Sequence, residues 1–164
     1  MRVIKNLSLA ALGLVLTLAC LDVFLQAAEI QTTMETTIND DYGPAYVAGK
    51  KVARFNEGFY IGKVNEMGHY GPARSYEKSA DEKRIVLMGD SFVMGITVFE
   101  RDHFASLLEK DRDGDSDDTV QVLNFGRPDF NFWNMYQYHH DFASRWDHDL
   151  TLFFVEYNDL VPST

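Results

Sequence analysis

Three kinds of apolar pattern run along this chain. From residue 7 to residue 21 no charge interrupts the sequence, and the apolar character continues to residue 28 except at Asp22 and Gln26. Much later, short apolar runs stand at residues 85–88, 120–125 and 150–155. Runs of this length with β-branched residues read as strands buried on both faces, as in parallel sheets. Stripes at helical spacing separate them. Phe104, Leu107 and Leu108 repeat at i, i+3, i+4 behind a candidate N-cap, Asp102. Phe132, Met135, Tyr136, His139 and Phe142 share one stripe of a helix expected over residues 131–144. Strand, helix, strand, helix, strand predicts an α/β fold with a parallel sheet, its three strand ends along one edge.

The first run has basic flanks, Arg2 and Lys5, so residues 1–29 read as a targeting or anchoring segment. Three readings stand. A signal anchor crossing the membrane once needs roughly 17–25 mainly apolar residues; residues 7–28 supply them if Asp22 sits near the outer interface. A cleaved signal peptide would use the small residues Ala27-Ala28. A lipoprotein would use Leu18-Ala19-Cys20 as its attachment box, whereas in a membrane helix Cys20 is simply a small apolar residue. Each reading keeps the positive charges inside and exports the rest to the cell envelope, whether anchored to the inner membrane, secreted or lipid-tethered.

Residues 30–83 form a polar, mixed lead-in. Residues 39–44 read as a turn. Residues 59–64 are β-formers broken by Gly62, a pattern shared by short strands and loops. Residues 65–72 are rich in turn formers, and His69 among them reads as an exposed loop histidine.

Composition narrows the function classes. With 164 residues, 46% apolar and 24% charged, the chain has room for one globular domain. A net charge of −10 argues against nucleic acid, which demands clustered Lys and Arg. Cys20 is the single cysteine, so no internal disulfide forms. Five aspartates crowd residues 111–118, but no Glu completes a Ca²⁺ loop at the twelfth position, and a solvated loop is the better reading. His139 and His140 are adjacent and point to different sides, as helix decoration rather than metal ligands. No metal or cofactor is expected.

The chemistry gathers at the strand ends. Ligands of open α/β sheets bind at the carboxyl edge, and Ser91 follows the first strand directly, after Gly89 and Asp90. Gly126 and Asn158 sit just past the second and third strands. Acyl transfer needs a nucleophile, a base and donors for the developing oxyanion. A serine hydroxyl, a glycine N–H open to close approach and an uncharged asparagine amide are suitable pieces. Read singly, Gly126 and Asn158 are ordinary turn residues.

Gly89-Asp90-Ser91-Phe92 resembles the first block of the SGNH/GDSL hydrolases, and Gly126 and Asn158-Asp159 follow in the order of the second and third blocks. Asn65-x-x-Gly68-x-Tyr70 is similar to a segment that precedes the first block in membrane-anchored SGNH-like proteins. The resemblance covers residues 84–160, about half of the chain. It implies a three-layer, flavodoxin-like core, with Ser91 as nucleophile and Gly126 and Asn158 completing an oxyanion hole with the Ser91 N–H. It also implies an acylated small molecule, glycan or lipid as substrate. Two departures stand out. Glu156 occupies a position usually held by Gly, and the last block, Asp-x-x-His, which carries the general base, is absent: none of the five histidines has an aspartate three residues earlier.

Residues 84–164 are therefore expected to form a partial SGNH-like domain, truncated before its base, behind the 1–29 anchor and the 30–83 lead-in. The expected function is an exported, membrane-tethered esterase or acyl hydrolase, weakly active or inactive as this chain stands. His69 is the one histidine left open as a base. Two alternatives are a non-catalytic SGNH-like module that binds an acylated glycan or a protein partner, and a structural envelope protein in which Gly-Asp-Ser is accidental.

Overall fold

The computed structural model describes residues 2–28, 36–39, 43–55, 58–112 and 119–160. The chain divides into two compact units, residues 1–32 and residues 33–164.

The first unit is one helix, α1 (Arg2–Ala27). Its stretch Val3–Ala27 has a mean hydropathy of 2.2 and at most two charges in its most apolar window. At 1.5 Å per residue, 25 residues reach about 38 Å, longer than a hydrocarbon core of about 30 Å. Its hydroxyls turn back onto the helix, Ser8 Oγ donating to Ile4 O at 3.0 Å and Thr17 Oγ1 to Gly13 O at 2.9 Å. Asp22 accepts from Gln26 Nε2 at 2.7 Å. This helix has the length and composition of a membrane span or a signal sequence.

The second unit is mixed α/β. The stretch expected as a lead-in carries two antiparallel hairpins, β1 (Thr36–Asn39) with β2 (Gly43–Tyr46), and β3 (Lys51–Arg54) with β4 (Tyr60–Lys63). Then come β5 (Glu82–Met88), α2 (Ser91–Met94), α3 (Phe104–Arg112), β6 (Thr119–Asn124), α4 (Phe132–Asp141) and β7 (Leu150–Phe153). The last three strands form one parallel sheet in the order β6-β5-β7. All three expected runs are strands, and all are parallel.

The central strand shows why a continuous apolar run was needed. Side chains alternate across a strand, and β5 buries both sets. Val86 and Met88 meet Leu123, Phe125, Met135, Phe142 and Trp146 on the α4 face. Leu87 meets Val93, Ala105 and Val122 on the α3 face, with Ile85 and Leu108 beside them. A third cluster joins the hairpins to the turn after β5: Tyr46, Val52, Tyr60, Val64 and Tyr70 pack with Met94 and Ile96.

Each helix buries only part of the stripe predicted for it, Met135 and Phe142 being buried as expected. On α3, Phe104 and Leu107 are exposed, while Ala105 is buried and Leu108 half-buried. The helix starts after Asp102, and a polar contact fixes its inward face: Glu109 Oε1 accepts from Val122 N on β6 at 2.6 Å and from Arg74 Nη2 at 2.9 Å. On α4, Tyr138 is buried in place of Tyr136, and Phe132 and His139 flank Phe153 at the margin. Asn131 caps this helix through a reciprocal bond with Asn134. The aspartate-rich loop, residues 113–118, lies outside the described residues.

Candidate active site

The site begins where β5 ends. Gly89 is buried against Val93, whose side chain a β-carbon at Gly89 would overlap. Asp90 then caps α2, its Oδ1 accepting the Phe92 N–H at 2.9 Å. Ser91 is the first residue of that single turn, and it is exposed. Among the described residues neither its hydroxyl nor its N–H has a hydrogen-bond partner; the free N–H is one of the orphan donors of a helix start. The turn closes at Gly95, whose φ of 70° is the left-handed value that favours glycine.

The other two strand ends arrive beside it. Beyond β6 the parallel pairing continues, with Phe125 N donating to Leu87 O at 2.9 Å and Arg127 N to Gly89 O at 3.0 Å. Gly126 therefore lies against α2, and an added β-carbon would overlap the Met94 amide and the Val93 carbonyl carbon. Beyond β7, Phe154 N donates to Met88 O at 2.9 Å. Asn158 follows in a short 3₁₀ turn, Tyr157–Leu160, held where Asp159 Oδ2 accepts the Glu156 N–H at 2.8 Å. Asn158 is exposed, and its side chain makes no hydrogen bond among the described residues.

Ser91, Gly126 and Asn158 thus share the carboxyl edge of three adjacent parallel strands. Gly126 packs on the turn that carries Ser91. No hydrogen bond links Asn158 to either.

A residue with no distinguishing mark in the sequence, Asn124, organises this edge. Asn124 Oδ1 accepts the Gly126 N–H at 2.9 Å, and Asn124 Nδ2 donates to Val93 O at 2.8 Å. The Gly126 amide is therefore occupied by a side chain of its own strand. The same Val93 oxygen lies 3.0 Å from His103 Nε2. His103 Nδ1 accepts the Ala105 N–H at 3.2 Å, so the hydrogen is on Nε2 and donates to Val93. His103, not the expected Asp102, is the N-terminal cap of α3, and it touches the turn that carries Ser91. Burial lowers its pKa, against the opposing pull of the Val93 bond.

His69 is not the exposed loop histidine expected from its turn-rich surroundings. It is 2% exposed, between Phe125, Phe142 and Tyr138, with Nε2 at 2.8 Å from Tyr138 Oη. Burial, reinforced by the Arg127 charge, pushes its pKa down to about 3, so it is neutral. Asn65 holds the loop around it, accepting from Met67 N and His69 N and donating to Gly71 O. The left-handed Gly68 and Gly71 let that loop turn.

The remaining histidines lie elsewhere. His139 Nε2 and His148 Nε2 both bond Thr151 Oγ1, at 3.0 and 2.9 Å, beside the start of β7. His140 pairs with Asp141 on the surface. None of the five histidines hydrogen-bonds Ser91. Among the described residues no three His, Cys, Asp or Glu side chains are grouped to hold a metal ion. No protein-family model matches this chain, and no curated protein matches it.

Proposed function

We propose that the chain is an exported, membrane-tethered acyl hydrolase of the SGNH type, with a flavodoxin-like core and Ser91 as nucleophile. Its substrate would be an ester carried on a small molecule, glycan or lipid. One observation carries the reading. An exposed serine opens a one-turn helix at the carboxyl end of the central parallel strand, and a glycine from the next strand packs on the same turn.

In this reading Ser91 Oγ attacks the acyl carbonyl, the alcohol leaves, and water then releases the acid. The Ser91 N–H and the Asn158 amide are donors with no competing acceptor. The Gly126 N–H joins them only if Asn124 yields it. The step also requires a base to take the Ser91 proton, and no histidine does so in this arrangement.

Those two features favour a second reading, a non-catalytic SGNH-like module that binds an acylated glycan or a protein partner. Hydrolysis of p-nitrophenyl acetate by the full chain and by Ser91→Ala separates the two. The hydrolase reading expects slow turnover that the substitution removes, since oxyanion donors alone leave residual catalysis in other hydrolases. Equal rates would favour the module.

A further inference from the structure

Two arginines among the described residues of the second unit are buried, and their surroundings differ. Arg84 is 1% exposed and saturated. Its Nε and Nη2 reach Glu82 Oε1 at 3.1 and 2.7 Å, and its other donors reach the carbonyls of Ser75, Tyr76, Glu77 and Asp147 and the Gln121 side chain. Arg127 is 5% exposed and has no carboxylate partner among the described residues. Its guanidinium makes one hydrogen bond, a long one of 3.4 Å to Tyr138 Oη. Three aromatic rings surround it, those of Tyr46, Phe130 and Tyr138, with centroids 5.1–5.6 Å from Cζ.

Ring faces stabilise a cation through their quadrupole, but they accept none of its five N–H donors in line. A buried charge without a hydrogen-bonding counter-charge is costly. Arg127 also lines an open hollow of about 340 Å³, bounded by Pro44, Phe130, Asn134, Gln137 and Asp141. That volume suits a small molecule. Asn134 and Gln137 bring amide donors to the same hollow. Asp141 is engaged with His140, and Asp129 forms no ion pair with Arg127.

We propose that this hollow binds the oxyanion group of a small ligand, a carboxylate or a phosphate, on the Arg127 guanidinium. The planar fork matches such groups with two parallel N–H···O bonds. The three aromatic rings hold the guanidinium at the wall of the hollow. The chain's net charge of −10 repels anions at long range, so binding rests on this local contact. The site is independent of Ser91 and of the reaction assigned to it.

The test is a titration of the detergent-solubilised full chain with sodium phosphate and, separately, sodium acetate, at constant ionic strength held with sodium chloride. The readouts are calorimetry and the NMR signal of the Arg127 Nε–H. At least one anion is expected to bind saturably and shift that signal, and whichever does so identifies the head group. Arg127→Met should weaken binding roughly tenfold or more, the scale of a charge-assisted contact. Gln137→Glu, an exposed change that leaves the fold intact, should also weaken it by adding like charge at the rim. No saturable binding of either anion, binding matched by chloride, or unchanged affinity in Gln137→Glu would overturn the proposal.

Discussion

The Asn124 side chain donates to the Val93 carbonyl at 2.8 Å, tying the end of β6 to the turn that exposes Ser91. Its oxygen holds the Gly126 N–H at the same time. One amide thus fixes two of the three strand-end positions. Replacing Asn124 with Leu removes both bonds and leaves two backbone groups to find other partners. A destabilisation of about 1–3 kcal/mol is expected, read as a lower denaturant midpoint in the fluorescence of buried Trp146. An unchanged midpoint would mean that packing alone sets the turn.

Gly126 predicts a steric effect at the same place. Any β-carbon there meets the α2 backbone rather than a movable side chain. Gly126→Ala should therefore displace α2 and cost more than the ordinary glycine-to-alanine change, which is within about 1 kcal/mol. Gly126 has no positive φ, so its loss reports the clash, whereas Gly43→Ala, where nothing lies within 4 Å but φ is 81°, reports backbone strain alone. A change in stability at Gly126 that stays within about 1 kcal/mol would refute it.

Arg84 and Glu82 form a buried pair at the amino end of β5. Arg84→Met leaves Glu82 with a buried, unpaired carboxylate, for which about 3–5 kcal/mol of destabilisation is expected. The double variant Glu82→Gln, Arg84→Met removes that charge and should recover part of the loss. Additive effects in a double-mutant cycle would show that the pair is not coupled.

His69 makes stability depend on pH. Its folded pKa, about 3, lies below the ordinary 6.5, so the unfolded chain binds the proton more readily. Its stabilising contribution is complete above pH 6.5 and is lost progressively as pH falls from there towards 3. The parent should lose more stability across that window than His69→Gln, which keeps a hydrogen-bonding group but does not titrate. Parallel pH profiles for the two proteins would contradict this.

Strand positions were legible from the sequence because a strand covered on both faces must be apolar at every position, and residues 85–88 are. The helices were harder. Their buried faces were decided by Glu109 reaching Val122 N and by Tyr138 packing beneath Phe130, contacts between elements that a single stripe does not encode. The edge positions of Ser91, Gly126 and Asn158 followed from strand order. The role of Asn124 did not, because an asparagine near the end of an apolar run reads as a turn residue. His69 was misread for a related reason: a polar residue among turn formers reads as surface, yet Asn65 folds that loop inward. Arg127, next to Pro128, carried no signal of its aromatic surroundings.

A covalent probe tests the proposed role of Ser91 as nucleophile. The full chain in detergent is treated with a fluorophosphonate, digested and analysed by mass spectrometry. A phosphonyl adduct is expected on the peptide that carries Ser91, absent from Ser91→Ala and undiminished in His69→Gln, since the buried histidine does not serve as base. An adduct confined to another residue, or none after prolonged exposure, would contradict it.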